Sequence, residues 1–426
     1  MAHLVDSNPF KPLRDQPWFE RLIDKNIRHV EQLAGLFYDS SGKLALELLG
    51  ADLRGLENAI DSSLRGRGTS LEKLLGATPG SEHPSVPFRT SPSGHAYGLN
   101  DIPLSISSSF DSEVPESEKR GPTDAGQSGV GGGAKNGNRI SGPGARKGGG
   151  NGGGSNNPPV KLLLPKPELP FPQNQHFRGT CVAFTGVSMI DLILRMKAKA
   201  SGSHRSIPLF SAQWLYYKAR DAHGAEDRRT DGTIFQYALD ALIDVGVCRD
   251  EAWPYHSTPD FTYSSAFGER KEIDHLEQQA GECKVTSGEL RYNRDVTVDW
   301  VKSQLSENRP VGIGVHIFKL AWENPYTLAT GEIGLPITRV VDGSERYLDS
   351  RLGCHAVTIV GYADTDEGRS HRPGGGYFVF KNSWGGDWAP VSQETPSGYG
   401  MLPYEYVDRY STSAVVFNDV EWITGQ

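Results

Sequence analysis

The sequence predicts an α+β domain of two lobes, preceded by a small all-α bundle and a flexible linker. Three features lead to this prediction. The N-terminal segments carry apolar residues at three- and four-residue spacing, which is typical of amphipathic helices. A central stretch is dominated by glycine: 14 of the 30 residues from 126 to 155 are Gly. In the C-terminal part helical segments come first and strand-like segments follow, an order that favours an α+β arrangement with a cleft between two lobes.

Composition narrows the classes of function. The chain has 426 residues, of which 37% are hydrophobic, and a formal net charge of -8. This length is enough for two or three domains, and the low apolar share predicts that part of the chain does not build a core. The net negative charge argues against a basic surface for nucleic acid. The sequence has no run of about 18 apolar residues, so no membrane span is predicted. The first 20 residues lack the apolar core of a signal peptide.

Residues 1–85 are predicted to form a small helical domain. The segments HVEQLAGLF, KLALELLG and LRGLENAIDSSL have helical periodicity, and Asp39 is a candidate N-cap for the second of them. Helices this short need one another to persist in water, so a compact bundle is expected. We expect this domain to have a regulatory or interaction role. It would either recruit a protein partner or restrain the rest of the chain.

Residues 86–157 are predicted to be a disordered Gly/Ser/Pro-rich linker. Such a composition behaves as a flexible coil. Scattered basic residues, among them Lys135 and Arg146, would be accessible to another protease. Two interpretations stay open, a plain tether and a segment that is cleaved for activation.

Residues 158–426 are predicted to be globular. Helices are expected from Thr180 to about Lys199, in LFSAQWLYYKARDA, in FQYALDALIDVGV and in VDWVKSQLSEN. Four later segments have the β-branched and aromatic character of strands: RPVGIGVHIF, HAVTIVGYA, GYFVFKNSW and SAVVFNDV.

Three residues of this domain have side chains suited to acyl chemistry. Cys181 opens an apolar helical segment, so it falls in a first turn, where unsatisfied N–H groups favour a thiolate. His355 stands at the head of a strand-like run, and Asn382 follows the strand GYFVFK. A thiol can attack an acyl carbon, an imidazole can move the proton, and an amide oxygen can fix the imidazole tautomer. Each residue taken alone is better explained by a structural role.

The cysteine count predicts a reducing environment. Four cysteines in a chain of this length do not make a disulfide framework, and neither a CxxC pair nor a zinc-type His/Cys spacing occurs. We therefore expect reduced thiols in a cytoplasmic protein, with no metal site.

Taken in chain order, the local motifs resemble those of a known family. Gln175 precedes Cys181 in the pattern Q-x5-C, GCHAVTIVGY surrounds His355, and FVFKNSWGGDW contains Asn382 and Trp384. With these motifs the chain resembles the papain-like cysteine peptidases over roughly residues 158–410. The resemblance implies a papain-like two-lobed fold, a helical lobe plus a β-barrel-like lobe, for a peptidase domain at 158–426.

The resemblance also implies a role for each matching residue. Gln175 looks like the oxyanion-hole glutamine, Cys181 like the nucleophile and His355 like the general base and acid. Asn382 looks like the residue that orients the imidazole, and Trp384 like the indole that shields Asn382.

A further motif is similar to the family's substrate-binding segment. The tripeptide Asp231, Gly232 and Thr233 is similar to the glycine-bearing stretch whose backbone pairs with an extended substrate. Trp384 is grouped with it as a residue near the substrate.

Several positions depart from the family pattern. Arg178 stands where members often carry a disulfide cysteine, and Val182 stands where tryptophan is usual. The segment 322–352 is longer than a minimal member needs and would form an added loop over the site. The leader does not resemble the inhibitory propeptide of secreted relatives, and GYGMLPYEYV is similar to the ends of bacterial members.

These observations predict a cysteine endopeptidase that acts on a protein or peptide substrate through a Cys-His-Asn thiolate mechanism, without a metal or organic cofactor. Two alternatives stay open. One is a catalytically inactive papain-like frame that binds peptides or acts as a scaffold. The other is an exopeptidase or an acyl-transfer enzyme that uses the same thiol, with the 322–352 insertion as the candidate block at one end of the cleft.

Overall fold

The computed structural model describes residues 3–66, 160–221, 232–257, 270–364, 375–392 and 394–423. The predicted linker lies outside these residues, and so do the two predicted domain boundaries at 85/86 and 157/158. The division into three domains therefore stays a prediction. Within the described part of the chain, no helix has both the length and the apolar character that a membrane crossing requires.

The N-terminal stretch contains four helices. They are α1 (Pro17–Asp24), α2 (Val30–Tyr38), α3 (Ser40–Leu48) and α4 (Leu53–Arg65). The last three coincide with the segments whose periodicity predicted helices. Asp39 and Asp52 cap α3 and α4, because their carboxylates accept hydrogen bonds from the backbone N–H of Gly42 and Gly55.

The apolar core of these helices is shared with the C-terminal part of the chain. Leu22, Leu33 and Ile60 are buried in one cluster together with Leu320 and Ile337. The four helices consequently do not form a complete core by themselves. Residues from the segment around 320–337 complete it.

The helical lobe is built around one long helix. Helix α5 (Cys181–Ala200) is buried from Cys181 through Leu194. A helix that is apolar on all sides must be enclosed on all sides, and neighbouring helices and the sheet enclose this one. The other helices of this region are α6 (Ala212–Asp221), α7 (Phe235–Asp244) and α8 (Arg270–Ala280). Helix α9 (Val298–Ser306) packs instead against the sheet, where Trp300, Val301 and Leu305 are buried.

A seven-stranded antiparallel sheet forms the second lobe. Its strands are β1 (Lys161–Leu162), β2 (Cys283–Tyr292), β3 (Val311–Phe318), β6 (Arg351–Asp364), β7 (Gly376–Lys381), β8 (Tyr399–Pro403) and β9 (Ser411–Trp422). The order is β2-β9-β3-β6-β7-β8, with β1 added on β6. Val315 of β3 lies opposite His355 of β6, so the predicted histidine sits in the middle of the sheet.

The predicted barrel-like lobe is not closed, which corrects that part of the expectation. Strands β2 and β8 end the sheet at opposite edges. Strand β2 is paired on one side by β9 and packs against helices α7 and α8, and no second strand of the described residues pairs with it. The papain-like arrangement of a helical lobe beside a sheet lobe is nevertheless present.

The segment before β6 holds small elements that the sequence did not predict. They are α10 (Lys319–Trp322), α11 (Pro325–Thr330) and the hairpin of β4 (Thr338–Val341) and β5 (Ser344–Tyr347). Helix α12 (Tyr404–Tyr410) follows β8.

Candidate active site

Cys181 is the first residue of α5 and is buried. The helix begins there because Thr180 lies outside the helical region, with φ -99° and ψ 11°, and serves as the N-cap. The backbone N–H groups of the first turn have no partner within the helix, and the helix dipole is positive at this end. Both effects favour a thiolate at Cys181.

His355 lies on β6 beside the start of this helix. Its two chain neighbours, Cys354 and Ala356, are buried in the same apolar cluster as Cys181. The hydroxyl of Thr358 also donates to the carbonyl of Thr185, over 3.4 Å, one turn into α5. Burial raises the pKa of Cys354 to about 12, and the nearby charge of Cys181 acts in the same direction. The structure therefore brings Cys181 and the strand of His355 together.

Asn382 directly contacts the imidazole. His355 Nε2 and Asn382 Oδ1 are 2.8 Å apart, and both residues are about 1% exposed. The same oxygen accepts from the backbone N–H of Ser383 over 2.9 Å. An amide oxygen only accepts hydrogen bonds, so Nε2 carries the proton of the neutral ring and Nδ1 is left as the acceptor.

Aromatic rings enclose this pair. The ring of Trp384 lies 4.9 Å from that of His355, at an angle of 31°, and Trp388 packs edge-on against Trp384. Burial lowers the pKa of His355 to about 4, while the hydrogen bond with Asn382 acts in the opposite direction. The enclosure thus favours the neutral imidazole, which is the form that accepts a proton.

Gln175 is joined to the Asn382 segment through two hydrogen bonds with Ser383, and a third bond, to Arg178, holds its amide nitrogen. Its backbone N–H donates to the carbonyl of Ser383 over 2.8 Å, and its Oε1 accepts from the Ser383 hydroxyl over 2.5 Å. Its Nε2 donates to the carbonyl of Arg178 over 2.7 Å. A bridge between Asn174 and Trp384 extends the pairing. The five predicted residues Gln175, Cys181, His355, Asn382 and Trp384 accordingly form one cluster.

Arg178 is a buried clamp on the loop before Cys181. Its guanidinium donates to Gln213 Oε1 over 2.7 Å and to the carbonyl of His256 over 2.8 Å. It also lies over the rings of Tyr216 and Tyr255, at 5.2 and 5.4 Å from their centroids. A cation held by an amide, a carbonyl and two aromatic faces fastens this loop to the helical lobe.

Tyr255 completes the clamp. Its hydroxyl donates to the carbonyl of Gln175 over 2.7 Å and contacts the Thr180 hydroxyl over 2.8 Å. One phenol therefore ties both ends of the loop that connects Gln175 to Cys181.

The predicted substrate-binding tripeptide is only partly described. Asp231 lies outside the described residues. Gly232 has its N–H bonded to the hydroxyl of Tyr216 over 3.1 Å, and its carbonyl accepts from Arg220 over 2.6 Å. Thr233 is buried. The clamp residue Tyr216 consequently connects Gly232 to the loop of Cys181.

Sequence reasoning missed Trp322. This buried residue of α10 packs edge-on against the His355 ring, at 6.0 Å and 86°, and lies 5.8 Å from the ring of Trp384. Its Nε1 donates to the Tyr406 hydroxyl over 2.8 Å. No local signal marks it, because the segment around it reads as a loop and the contact is made across some 30 positions of chain.

Comparison with known protein families gives one match. The family described as "Papain family cysteine protease" matches residues 168–392, which is more than half of the chain. None of the curated proteins compared matches the chain.

Several solved structures of cysteine proteases are similar to the chain. Xylellain from Xylella fastidiosa is 24% identical, with 63% of this chain and 87% of that chain covered and a TM-score of 0.45. Procathepsin B S9 from Trypanosoma congolense is 16% identical, with 62% and 78% covered and a TM-score of 0.41. Procathepsin L2 from the larval midgut of Tenebrio molitor is 16% identical, with 62% and 69% covered and a TM-score of 0.38. By the family match over residues 168–392, the chain belongs to the papain family of cysteine proteases.

Proposed function

We propose that this protein is a cysteine endopeptidase in which Cys181 is the nucleophile. The observation that carries the proposal is the buried contact of His355 with Asn382, beside a cysteine in the first turn of a helix. This arrangement supplies a thiolate, a base with a fixed tautomer and a setting that excludes water.

The reaction proceeds in two halves. Neutral His355 first takes the proton of the Cys181 thiol on its Nδ1. The thiolate so formed attacks the carbonyl carbon of the scissile peptide, and the carbonyl oxygen becomes an oxyanion. The C–N bond then breaks as protonated His355 donates its Nδ1 proton to the leaving amine, which yields a thioester. Neutral His355 next takes a proton from water, the hydroxide attacks the thioester, and the carboxylate product leaves as the thiolate is restored.

Gln175 and the backbone N–H of Cys181 are the donors that we assign to the oxyanion. The Gln175 amide nitrogen carries two hydrogens, one of which goes to the carbonyl of Arg178. The second is the hydrogen assigned here. The hydrogen bonds from Ser383 and Tyr255 to Gln175 fix that side chain and its backbone before substrate arrives, which is the preorganisation that such a donor needs.

Alkylation of the thiol tests the nucleophile. A thiol alkylator should label Cys181, and Cys181→Ala should abolish cleavage of peptides blocked at both ends. Cys248→Ala is the matched control, because burial raises the pKa of Cys248 to about 12 and keeps it protonated. Cleavage that survives in Cys181→Ala would contradict the proposal. An unlabelled Cys181 in a protein that still binds peptides would point to an inactive frame, and cleavage confined to peptides with an unblocked end would point to an exopeptidase.

Substrate docking on Gly232 follows from the same proposal. An extended peptide that pairs with this backbone must replace the Tyr216 hydroxyl on its N–H, while the carbonyl, with two lone pairs, can accept a bond beside Arg220. We assign Asp231 and Thr233 to the same subsite.

We place the enzyme in a reducing compartment, as expected of a cytoplasmic bacterial protein. None of the four cysteines, all of which the structure describes, forms a disulfide. Cell fractionation checks this assignment, and recovery from the medium or an oxidising compartment would contradict it.

A further inference from the structure

We propose that the four N-terminal helices are a permanent part of the sheet lobe and sustain catalysis by holding Trp322 against His355. The inference rests on the proposed function of His355. It makes the helices a positioning device for the general base, in place of the recruiting or restraining role expected from the sequence.

The first support is backbone pairing between the two parts. The turn after α1 meets the chain before β4: the N–H of Leu335 donates to the carbonyl of Lys25 over 3.0 Å. Asn26 is buried, and its Nδ2 donates to the carbonyl of Ile333 over 3.2 Å. Asn26 also has φ of 63°, a left-handed conformation that asparagine tolerates better than most residues. Buried amide and backbone groups paired in this way are costly to expose unpaired, so the contact is that of a folded interior.

Charged groups reinforce the same contact. Lys25 Nζ lies 3.0 Å from Glu345, which is also bound by Arg409 over 2.8 Å. Burial opposes ionisation of Glu345, but the Thr338 hydroxyl and the charges of Lys25 and Arg409 lower its pKa to about 2. The Glu345 carboxylate in the β4–β5 hairpin therefore pairs with one cation from the N-terminal stretch, Lys25, and with one from the C-terminal part of the chain, Arg409.

Helix α10 is where the N-terminal core reaches the active site. Leu320 is buried among the apolar residues of the N-terminal helices, while Trp322, two residues later, is buried in the apolar cluster of the sheet lobe. Lys319 donates to the Ser41 hydroxyl over 3.0 Å. The carboxylate of Asp349 accepts from the N–H of Leu320 over 2.8 Å and of Ala321 over 3.1 Å. An element of four residues therefore has one side in each core, and a shift of Leu320 moves Trp322.

Helix α11 is also seated on the N-terminal helices. The ring of His29 stacks on that of Tyr326, with 6.2 Å between centroids. A Cβ on Gly35 of α2 would lie 3.2 Å from the backbone nitrogen of Tyr326, so α2 approaches α11 at close range. The chain on both sides of Trp322 is thereby fixed by residues of the first 66.

At the other end, Trp322 acts on His355 through packing. Its ring edge meets the imidazole, and its Nε1 donates to Tyr406, whose hydroxyl donates to the carbonyl of His316 over 2.7 Å. His316 lies in β3, next to the strand of His355. The indole thus closes the apolar side of the imidazole and limits the positions that the ring can take. Loss of this wall would admit water and let the ring turn, which lowers kcat more than it changes substrate affinity.

Cleavage of the full chain between its two halves tests the proposal. A recognition site for an unrelated site-specific protease is inserted within residues 126–155, and the cut protein is compared with the uncut one. A dye on the N-terminal fragment reports the fraction that stays bound during dilution, with urea added at concentrations that leave the uncut protein fully active. The same series is run on the double variant Lys25→Ala/Asn26→Gly. It removes an ion pair and the two buried hydrogen bonds of Asn26, with Ile333 and Arg28, but keeps a residue that accepts positive φ.

Activity should follow the bound fraction. We expect kcat of the cut protein to fall at least about 10-fold as the helices dissociate, while KM changes by no more than about 2-fold. When the diluted protein is concentrated again, kcat should recover. The uncut protein should show no concentration dependence, and the double variant should lose activity at higher protein concentration. Activity that is unchanged, or that rises, as the helices dissociate would overturn the proposal; a rise would make them an inhibitor. An uncut protein without activity would contradict the proposed function itself, so the two failures are distinguishable.

A pair of tryptophan variants separates positioning from stability. Trp322→Leu and Trp300→Leu each remove a buried indole from the same apolar cluster. Both should lower the midpoint of unfolding, but only Trp322→Leu should lower kcat about 10-fold and move the acid limb of the pH profile upward, as water reaches His355. Equal kinetic effects from the two variants would mean a structural role for Trp322 and would overturn its part in the proposal.

Discussion

The two halves of the candidate site are held in place by different kinds of interaction. The loop that carries Gln175 and Cys181 is fastened by directional polar contacts, chiefly from Arg178 and Tyr255. His355 is instead surrounded by the rings of Trp322 and Trp384 and makes a hydrogen bond with Asn382. The loop of Cys181 has a polar clamp, whereas His355 has an aromatic enclosure.

This difference suits the charge that each group must carry. The thiolate benefits from a helix N-terminus and from oriented donors, which polar contacts fix without removing. The imidazole must be neutral to accept a proton, and enclosure by apolar rings lowers its pKa. Hydrogen bonds therefore position the loop of Cys181, whereas burial sets the pKa of His355. Each half of the site can be changed by mutation without changing the other.

The largest effect is expected on the histidine side. Asn382→Ala removes the acceptor of His355 Nε2, so the ring loses its fixed tautomer, and kcat should fall about 100-fold. Asn382→Asp keeps an acceptor but places a carboxylate beside the ring, so the pKa of His355 should rise from its lowered value. NMR titration of the imidazole, alongside kinetics, checks both changes. An unchanged His355 pKa in Asn382→Asp would contradict the contact.

The next largest effect is expected on the polar clamp. Arg178→Met removes the guanidinium's hydrogen bonds to Gln213 and to the carbonyl of His256, and its contact with two rings. The free energy of unfolding should fall by about 2–4 kcal/mol. Arg178→Lys keeps the charge but not the planar guanidinium. Its free energy of unfolding should lie between those of the unchanged protein and of Arg178→Met. Urea unfolding measures this series, and equal stabilities would show that the clamp does not bear on the fold.

A smaller effect is expected at Tyr255. Tyr255→Phe removes the hydroxyl that joins Gln175 to Thr180 and should cost about 1–2 kcal/mol, with kcat lowered several-fold. Tyr216→Phe is the matched variant, because the Tyr216 hydroxyl accepts hydrogen bonds from Gly232 and Arg220. We expect Tyr216→Phe to act mainly on KM. Steady-state kinetics on both variants decide, and the same pattern in the two would argue against a separate role for the loop.

The smallest effect is expected at Glu323, which follows Trp322 in the chain. A substitution here tests how the histidine side of the candidate site tolerates a charged group. Burial, with Asp39 and Asp349 nearby, raises the pKa of Glu323 to about 7 from 4.5. The folded state thus keeps a proton that the unfolded state has already lost, and stability declines as pH rises from about 4.5 through about 7. Glu323→Gln should remove a decline on the order of 1 kcal/mol, since solvent still reaches the carboxyl. Unfolding at pH 5 and pH 7.5 measures it, and an equal decline in both proteins would refute the assignment.

Local patterns in the sequence predicted much of the fold. Helical periodicity placed α2, α3 and α4, and the apolar run after Thr180 placed α5, because short-range side-chain spacing decides which face can be buried. Four of the seven strands of the sheet, β3, β6, β7 and β9, were found from β-branched and aromatic runs. Strands β1, β2 and β8 were not predicted. The open edge of the sheet was not predicted either, because whether β2 meets a strand or a helix depends on packing between distant segments.

The candidate site divides in the same way. Gln175, Cys181, His355, Asn382 and Trp384 stand in motifs that are recognisable along the chain. Trp322 and Tyr255 do not, because each reaches the site from a segment without a local pattern. The sharing of Leu320 between two cores was likewise invisible, since a leucine in an amphipathic segment does not reveal which core it enters.

The replacement of a common disulfide cysteine by Arg178 has a consequence for repair. A thiol enzyme is inactivated when its nucleophile is oxidised to a sulfenic acid or a mixed disulfide, and thiol reductants reverse both lesions. In a relative whose nucleophile loop is closed by a disulfide, the same reductant also attacks the closure. Here the closure is made by a guanidinium and a phenol, which no thiol reduces. With Cys181 as the proposed nucleophile, we expect strong reductant to regenerate this enzyme, cycle after cycle, without loosening the loop that carries Cys181.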